Sequence, residues 1–413
     1  MPLSFLRILD TWVGKGLLFI LALPLRWIAA FLPIAANRRR VFLKMKGGGS
    51  LIIAFPSLLG LRRQYPQDEF ILVCTRESKI YAELTGVFDR FVSVDDTKLS
   101  ALILSGIKAV RACFRAAQCI DLEPNSILAA VFTMLTCATE RVGFVSPRQP
   151  ERAAAYSVPI SYDPAAPIYV YYDKLCEQGG AAPASAQDCR ERMLALLPPR
   201  DTHAVRTPSP PPWGGRVGVR GEVGGIIPAP PLTPNPSPPK EGERGFTVAI
   251  AAFSSDFARE RMMPPQTWAA LLRRVYADMP LRIVMLGSSN NIHAAQTLCD
   301  LLQIELPSAS VVNGAGTCTL AQTAARMLSC DEIWSIDSGL LHIARALGVS
   351  TRSFWGPTMP TQRLRPIEGL SEKIFYHPLP CSPCIPSTAK PPCSGYNLCM
   401  INMAEEKSDS PPS

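Results

Sequence analysis

The sequence predicts an α/β protein built from two Rossmann-like domains behind a membrane-associated helical segment. Three observations carry this. Short apolar runs of four to six residues alternate with helical stretches, the pattern of βαβ units on a parallel sheet. A length of 413 residues suits two domains rather than one. Between two halves of the same style lies Thr207 to Gly245, with 19 Pro or Gly in 39 residues.

The N-terminal device comes first. Leu6 to Ala36 is rich in Leu, Ile, Phe and Trp but is interrupted by Lys15, Pro24 and Arg26. Its longest clean apolar run, Gly16 to Leu25, is ten residues, against the roughly 20 that a spanning helix needs. The first 46 residues hold eight Lys or Arg against Asp10 alone, so this segment carries +7 of the formal net charge of +8. The nearly neutral remainder argues against a nucleic-acid partner. We expect an interfacial helix or helical hairpin on an anionic surface, with Arg38, Arg39 and Arg40 against lipid headgroups. A single span, a signal peptide or a buried helix is the alternative. The expected location is cytoplasmic, peripheral on the inner face of the inner membrane.

In the first domain (38–200), strands are expected at Val41–Leu43, Phe70–Val73, Phe91–Val94, Cys119–Leu122 and Glu140–Phe144. Helices are expected at Ser57–Tyr65 and Ser126–Thr136, with Lys46 to Pro56 as a Gly-rich loop. Residues 201–246 form the linker. Its composition cannot offset its ordering entropy, so disorder without a catalytic role is expected, a proline-rich docking site being the alternative. The second domain (247–378) reads as strands at Thr247–Ala252, Leu281–Leu286 and Ile333–Ile336. Its helices fall at Pro265–Ala277, Ile292–Leu302 and Leu320–Leu328. A Cys-rich tail occupies 379–413.

The strongest chemical signal is Trp334 to Pro366. An apolar strand, Glu332 to Ile336, turns through Asp337-Ser338-Gly339 into a helix bearing His342, and a second strand leads to Gly356-Pro357-Thr358. A strand, a small-residue turn and a helix N-terminus make an anion site, because free backbone N–H groups and the positive helix end both favour phosphate. The plainer reading is a βα turn in which Asp-Ser merely caps the helix.

The run Asp337-Ser338-Gly339-Leu340-Leu341-His342-Ile343-Ala344-Arg345-Ala346-Leu347-Gly348, followed by Gly356-Pro357-Thr358, resembles the signature of glycosyltransferase family 9, the bacterial heptosyltransferases of lipopolysaccharide synthesis. Lys46 to Pro56 resembles the family's opening Gly-rich loop, and Asn313 to Thr317 with Leu320 the loop and helix before the signature. The resemblance covers about residues 38–200 and 246–400 and implies a GT-B fold, two Rossmann-like domains facing a cleft. It implies an inverting, metal-independent transfer of a heptose-like sugar from a nucleotide diphosphate donor, such as ADP-heptose, to a lipopolysaccharide-core or other lipid-linked saccharide acceptor. No cofactor is required.

On that resemblance the donor is held by Ser254, Ser255, Arg261, Asp337, Ser338, Gly339, Leu340 and His342. Arg261 stands where the family uses Lys, keeping the charge and adding a bidentate fork. Packing is the alternative role for His342, and solvation at the surface the alternative for Arg261. Gly48 and Gly49 line the acceptor loop. The family places its catalytic Asp next, where this chain has Ser50, and a hydroxyl cannot act as a carboxylate base near neutral pH. A non-catalytic nucleotide-sugar-binding protein of the same fold is therefore the alternative. A hydrolase triad of Ser50, His342 and Asp337 is a third reading, which requires the three to meet across the cleft. The ribose-holding Glu is also absent from Leu286 to Asn291, which offers only amides and hydroxyls.

Cys381, Cys384, Cys393 and Cys399 cluster in the tail, and the other nine of 13 cysteines are scattered. Four thiols with one CxxC pair suit a structural zinc; reduced packing thiols or disulfides are the alternatives.

Overall fold

The computed structural model describes residues 9–31, 37–199, 245–254, 256–276, 279–385, 392–393 and 396–405. The expected disorder of the linker falls almost entirely outside them.

Six parallel strands, β1 (Arg39–Lys44), β2 (Glu69–Cys74), β3 (Arg90–Ser93), β4 (Gln118–Asp121), β5 (Glu140–Val145) and β6 (Val158–Ser161), pair in the order β3-β2-β1-β4-β5-β6. Six more, β7 (Phe246–Ala251), β8 (Leu281–Met285), β9 (Ser310–Asn313), β10 (Glu332–Ile336), β11 (Thr351–Trp355) and β12 (Glu372–Tyr376), pair in the order β12-β11-β10-β7-β8-β9. Counted along its own segment, each sheet runs 3-2-1-4-5-6. The strand order reverses between β1 and β4 in the first and between β7 and β10 in the second, and such switch points are where doubly wound sheets bind ligands. The central strands are continuous apolar runs because helices cover both faces: Phe70 to Cys74 of β2 are all fully buried.

The helices are α1 (Gly14–Phe31), α2 (Gly48–Gln64), α3 (Arg76–Glu83), α4 (Leu99–Cys113), α5 (Ile127–Leu135), α6 (Ile168–Gln178) and α7 (Ala186–Leu194). In the second half they are α8 (Pro265–Tyr276), α9 (Ile292–Glu305), α10 (Leu320–Met327), α11 (Gly339–Ala346), α12 (Pro360–Arg363) and α13 (Leu398–Ile401).

Two expectations are corrected. The Gly-rich stretch is helical from Gly48, nine residues before the helix expected at Ser57. Only Met45 to Gly47 form the loop, with Gly47 at φ 81°, a left-handed value that glycine adopts without strain. Glycine and Pro56 suggested a break, but α2 buries Leu51 to Phe55 and Ser57 to Leu61 between the two domains, and that packing outweighs local propensity. Second, Arg39 and Arg40 do not face lipid. Arg39 donates to the carbonyls of Ala112 (3.2 Å) and Phe114 (2.9 Å), at the end of α4. Arg40 bonds Asp68 at 2.7 Å and lies 3.2 Å over the ring of Tyr65. Of the triplet, Arg38 alone is exposed.

One apolar cluster runs from Phe42, Phe70 and Phe144 through α2 into Ile343, Ala344 and Leu347 of α11, so the two domains share a core across the cleft. A second, around Trp268, Trp334 and Phe354, fills the far side of the second sheet. α1 lies against α5, held by Asp10, whose carboxylate accepts from Ser126 Oγ (2.7 Å), Leu128 N (2.9 Å) and Ile127 N (3.2 Å). This gives the N-terminus of α5 an anionic cap. Among the described residues no helix is long and apolar enough to cross a membrane.

Candidate functional site

The expected site residues gather at the two switch points, and the two switch points touch. A Cβ on Gly49, at the start of α2, would lie 3.1 Å from His342 Cδ2 and 3.2 Å from Gly339 Cα. The N-terminal ends of α2 and α11 therefore meet across the cleft at Gly49 and Gly339. The β1–α2 loop is fixed from below. Glu123 accepts from the backbone N–H of Met45 (2.8 Å) and Lys46 (2.9 Å) and from Lys44 Nζ (2.9 Å). Thr75 and Ser78 hydroxyls donate to the Met45 carbonyl. Burial alone would pull the Lys44 ammonium down, but Glu123 and its neighbours outweigh it, and the pKa is raised.

On the other side, Ser338 caps α11, its hydroxyl accepting from Leu341 N at 3.4 Å and lying 3.0 Å from Ser335 Oγ. Asp337 is buried at the end of β10. Its Oδ2 lies 3.5 Å from Arg261 Nε and its Oδ1 3.6 Å from His342 Nε2, while Arg261 Nη1 donates to its carbonyl at 3.1 Å. At these lengths the Arg261 contact is ionic and the His342 contact is longer than a hydrogen bond. Asp337 Oδ2 and Arg261 Nε are thus buried without a hydrogen-bond partner, an arrangement ready for a polar ligand. Burial would raise the Asp337 pKa, but Arg261, His342 and Arg363 together hold it well below the usual carboxylate range. Burial lowers the His342 pKa against the pull of Asp337, so the imidazole is neutral at pH 7. Arg261 is not a solvated surface residue: its side chain is 20% exposed, and burial lowers its pKa.

The hydrolase triad does not form. No hydrogen bond joins Ser50 to His342 among the described residues; Ser50 Oγ lies over Gly47, 3.3 Å from where a Cβ there would be. Ser254 follows β7 beside the donor loop, and Ser255 lies outside the described residues.

Sequence reasoning missed four residues here. Tyr81 of α3 is wedged between the switch points: a Cβ on Gly48 would overlap its ring, and a Cβ on Gly339 would lie 2.5 Å from its Oη. Burial pushes the Tyr81 phenol up to about 12, so it stays protonated. Arg365 makes a two-pronged bond to Asp173 across the domains (2.8 and 2.7 Å), and Asp173 also accepts from Ser57 Oγ at 2.7 Å. Arg363 lines the cleft with Ile52, Phe55, His342 and Arg345, and its charge acts on Asp337 from α12 and on Tyr162 and Tyr172 of the first domain. Nothing near Tyr81 or Asp173 in sequence marks them; the two arginines are flagged only by following Gly356-Pro357-Thr358.

The tail returns beneath this site. Cys384 N and Ile385 N donate to the Pro357 carbonyl (3.1 and 3.0 Å), and a Cβ on Gly356 would lie 2.7 Å from Cys399 Sγ. All 13 cysteines are free thiols. Burial first, then the neighbouring tail thiols, push Cys399 up to about 11. No group of three or more His, Cys, Asp or Glu among the described residues is placed to hold a metal ion.

Comparison with known proteins bears on the family and the fold. The profile of glycosyltransferase family 9 (heptosyltransferase) matches residues 240–393. Lipopolysaccharide heptosyltransferase 2 of Escherichia coli K12 is 28% identical over 131 residues, 29% of this chain and 37% of that protein, so the matched stretch spans little more than a third of the relative's length. Among solved structures, E. coli ADP-heptose lipopolysaccharide heptosyltransferase II superposes with a TM-score of 0.54 at 16% identity, covering 82% of this chain and 90% of the other. The E. coli heptosyltransferase WaaC with ADP gives 0.55 at 15%, covering 81% and 92%. The Veillonella parvula family 9 glycosyl transferase gives 0.54 at 14%, covering 83% and 86%. These likenesses establish the GT-B fold.

Proposed function

We propose, from the premise that the chain is a heptosyltransferase-like member of glycosyltransferase family 9, that it transfers a heptose from ADP-heptose to a lipopolysaccharide-core or similar lipid-linked acceptor. The meeting of the two switch points, Gly49 against Gly339 with Asp337, Arg261 and His342 around them, is the observation that carries this reading. The similar structures of E. coli WaaC with ADP and with ADP-2-deoxy-2-fluoro heptose support the donor.

In this reading the N-terminus of α11 and the guanidinium of Arg261 receive the diphosphate, and Arg363 adds charge from across the cleft. Fixed donors of this kind stabilise a departing diphosphate without reorganisation. They do so without a divalent cation, so transfer should survive chelation. Asp337 holds Arg261 in place. Ser50 cannot take the acceptor proton. Neutral His342, beside Gly49 and oriented by Asp337, is the group we assign to that task, with inversion at the anomeric carbon. The protein lies peripherally on the inner membrane face, where its acceptor is.

Radiolabelled ADP-heptose is mixed with heptose-deficient lipopolysaccharide, with and without chelator. Label entering the lipid fraction is expected in both, and label remaining on the nucleotide or in water sinks the assignment. Ser50→Asp places a carboxylate in the first turn of α2, where the helix end favours it. A faster Ser50→Asp enzyme that no longer needs His342 would show that the two groups do the same work.

A further inference from the structure

The first domain carries an apolar surface that sugar transfer does not use. α1 is apolar on two opposite sides. Gly14, Leu18, Leu21, Ala22 and Leu25 turn toward α5 and its neighbours. Trp12, Phe19, Ile20 and Leu23 stand 77, 87, 68 and 69% exposed. Their offsets of seven, eight and eleven residues put all four on one stripe. α4 repeats the arrangement: Leu102, Ala109 and Cys113 pack toward the sheet, whereas Leu99, Ile103, Leu104 and Ile107 are exposed.

α5 lies between them. Ala129 and Phe132 pack in the cluster of α4, and Ile127, Ala130, Val131 and Met134 in the cluster of α1. The two stripes therefore flank one helix on one side of the sheet and belong to a single face. Scattered exposed apolar residues need no explanation, but a contiguous face of this size does.

Charge identifies what covers it. Residues 97–117, which span α4, hold four Lys or Arg and no acid. Lys98, Lys108 and Arg111 are exposed along α4. Of the two acids beside α1, Asp10 is spent on the N-terminus of α5 and Glu151 on Lys15, 3.0 Å away. Large apolar side chains beside exposed cations complement an anionic bilayer: the apolar groups enter the acyl boundary and the cations reach the phosphates.

We infer that α1 and α4 together form one docking face for an anionic phospholipid bilayer, so that the whole first domain, and not its N-terminal segment alone, rests on the membrane. Asp10, two residues before Trp12, bonds Ser126 at the carboxyl edge of the first sheet, the edge from which α2 also starts at Gly48. A lipid-borne acceptor then reaches the cleft without leaving the surface. The inference refines the peripheral placement proposed above, and its test reads lipid binding, so the identity of the sugar does not enter.

The full chain is sedimented with vesicles of phosphatidylcholine containing phosphatidylglycerol and with phosphatidylcholine alone. Binding to the anionic vesicles, weakened by salt, is expected. Ile103→Asp with Ile107→Asp should reduce it at least about ten-fold with an unchanged melting temperature, and Phe19→Asp with Ile20→Asp should do the same. If the α4 pair binds like wild type, the face is α1 alone and the inference fails. It fails equally if wild type ignores both vesicles, or if it forms dimers that these substitutions split, since the face would then cover a second copy of the chain.

Discussion

Gly48→Ala, read with Tyr81→Ala, tests the contact that closes the cleft. A methyl at Gly48 would overlap Tyr81 Cδ2 and lie 2.5 Å from Cγ and 2.6 Å from Cε2. Carbon atoms settle at about 3.5–4.0 Å, so the ring would have to retreat by roughly an ångström. It has nowhere to go, because its far edge already fills the space a Cβ would take on Gly339. Overpacking of this kind costs about 1–3 kcal/mol, and the blocked retreat places Gly48→Ala at the upper end. With the ring removed, the same substitution puts Ala for Gly in a helix and should be neutral or stabilising by about 0.5–1 kcal/mol. The four proteins of the cycle are unfolded in denaturant, and a coupling of about 2–3 kcal/mol is expected. An equal cost for Gly48→Ala in both backgrounds would refute the wedge.

Three further outcomes follow from the site. Arg261→Ala should lower kcat/KM about 10²–10³-fold by removing a fixed cation at the diphosphate, and Arg261→Lys should recover part of it; steady-state kinetics of both decide this. Arg365→Met should cost about 1–2 kcal/mol by breaking a two-pronged ion pair between domains, measured by denaturant unfolding. Acid should weaken the fold in two steps. His342 and Asp337 both have folded pKa values below their unfolded ones, so the folded protein binds fewer protons and loses stability as pH falls. The first step begins near pH 6.5 and the second near pH 4, the ordinary values of the two groups. Melting temperatures against pH check this, and His342→Gln should erase the first step alone.

Much of the fold was legible because buried strands advertise themselves. Phe70 to Val73 and Ile333 to Ile336 are apolar runs with polar ends, and parallel sheets covered on both faces demand such runs. The turn after β10 was legible because Asp337-Ser338-Gly339 marks a turn and a helix start without help from elsewhere. What failed had distant causes. α2 begins at Gly48 because it is sandwiched between domains, a fact that lies in α11 and not near Gly48. Arg39 and Arg40 read as surface cations, yet their partners are Asp68 and the end of α4. Asp173 and Arg365 are 192 residues apart, and no local pattern pairs them.

The shared core and the Asp173–Arg365 bond hold the two domains against one another while Tyr81 fills the gap between their glycines. In the proposed function, a nucleotide and a saccharide would have to enter and leave a cleft that is closed in this way. Each turnover must therefore include a parting of the domains, in which the ion pair breaks and the ring withdraws. Turnover then has a mechanical component set by how fast two large bodies move through solvent: it should slow with added viscogen even when the chemistry is untouched.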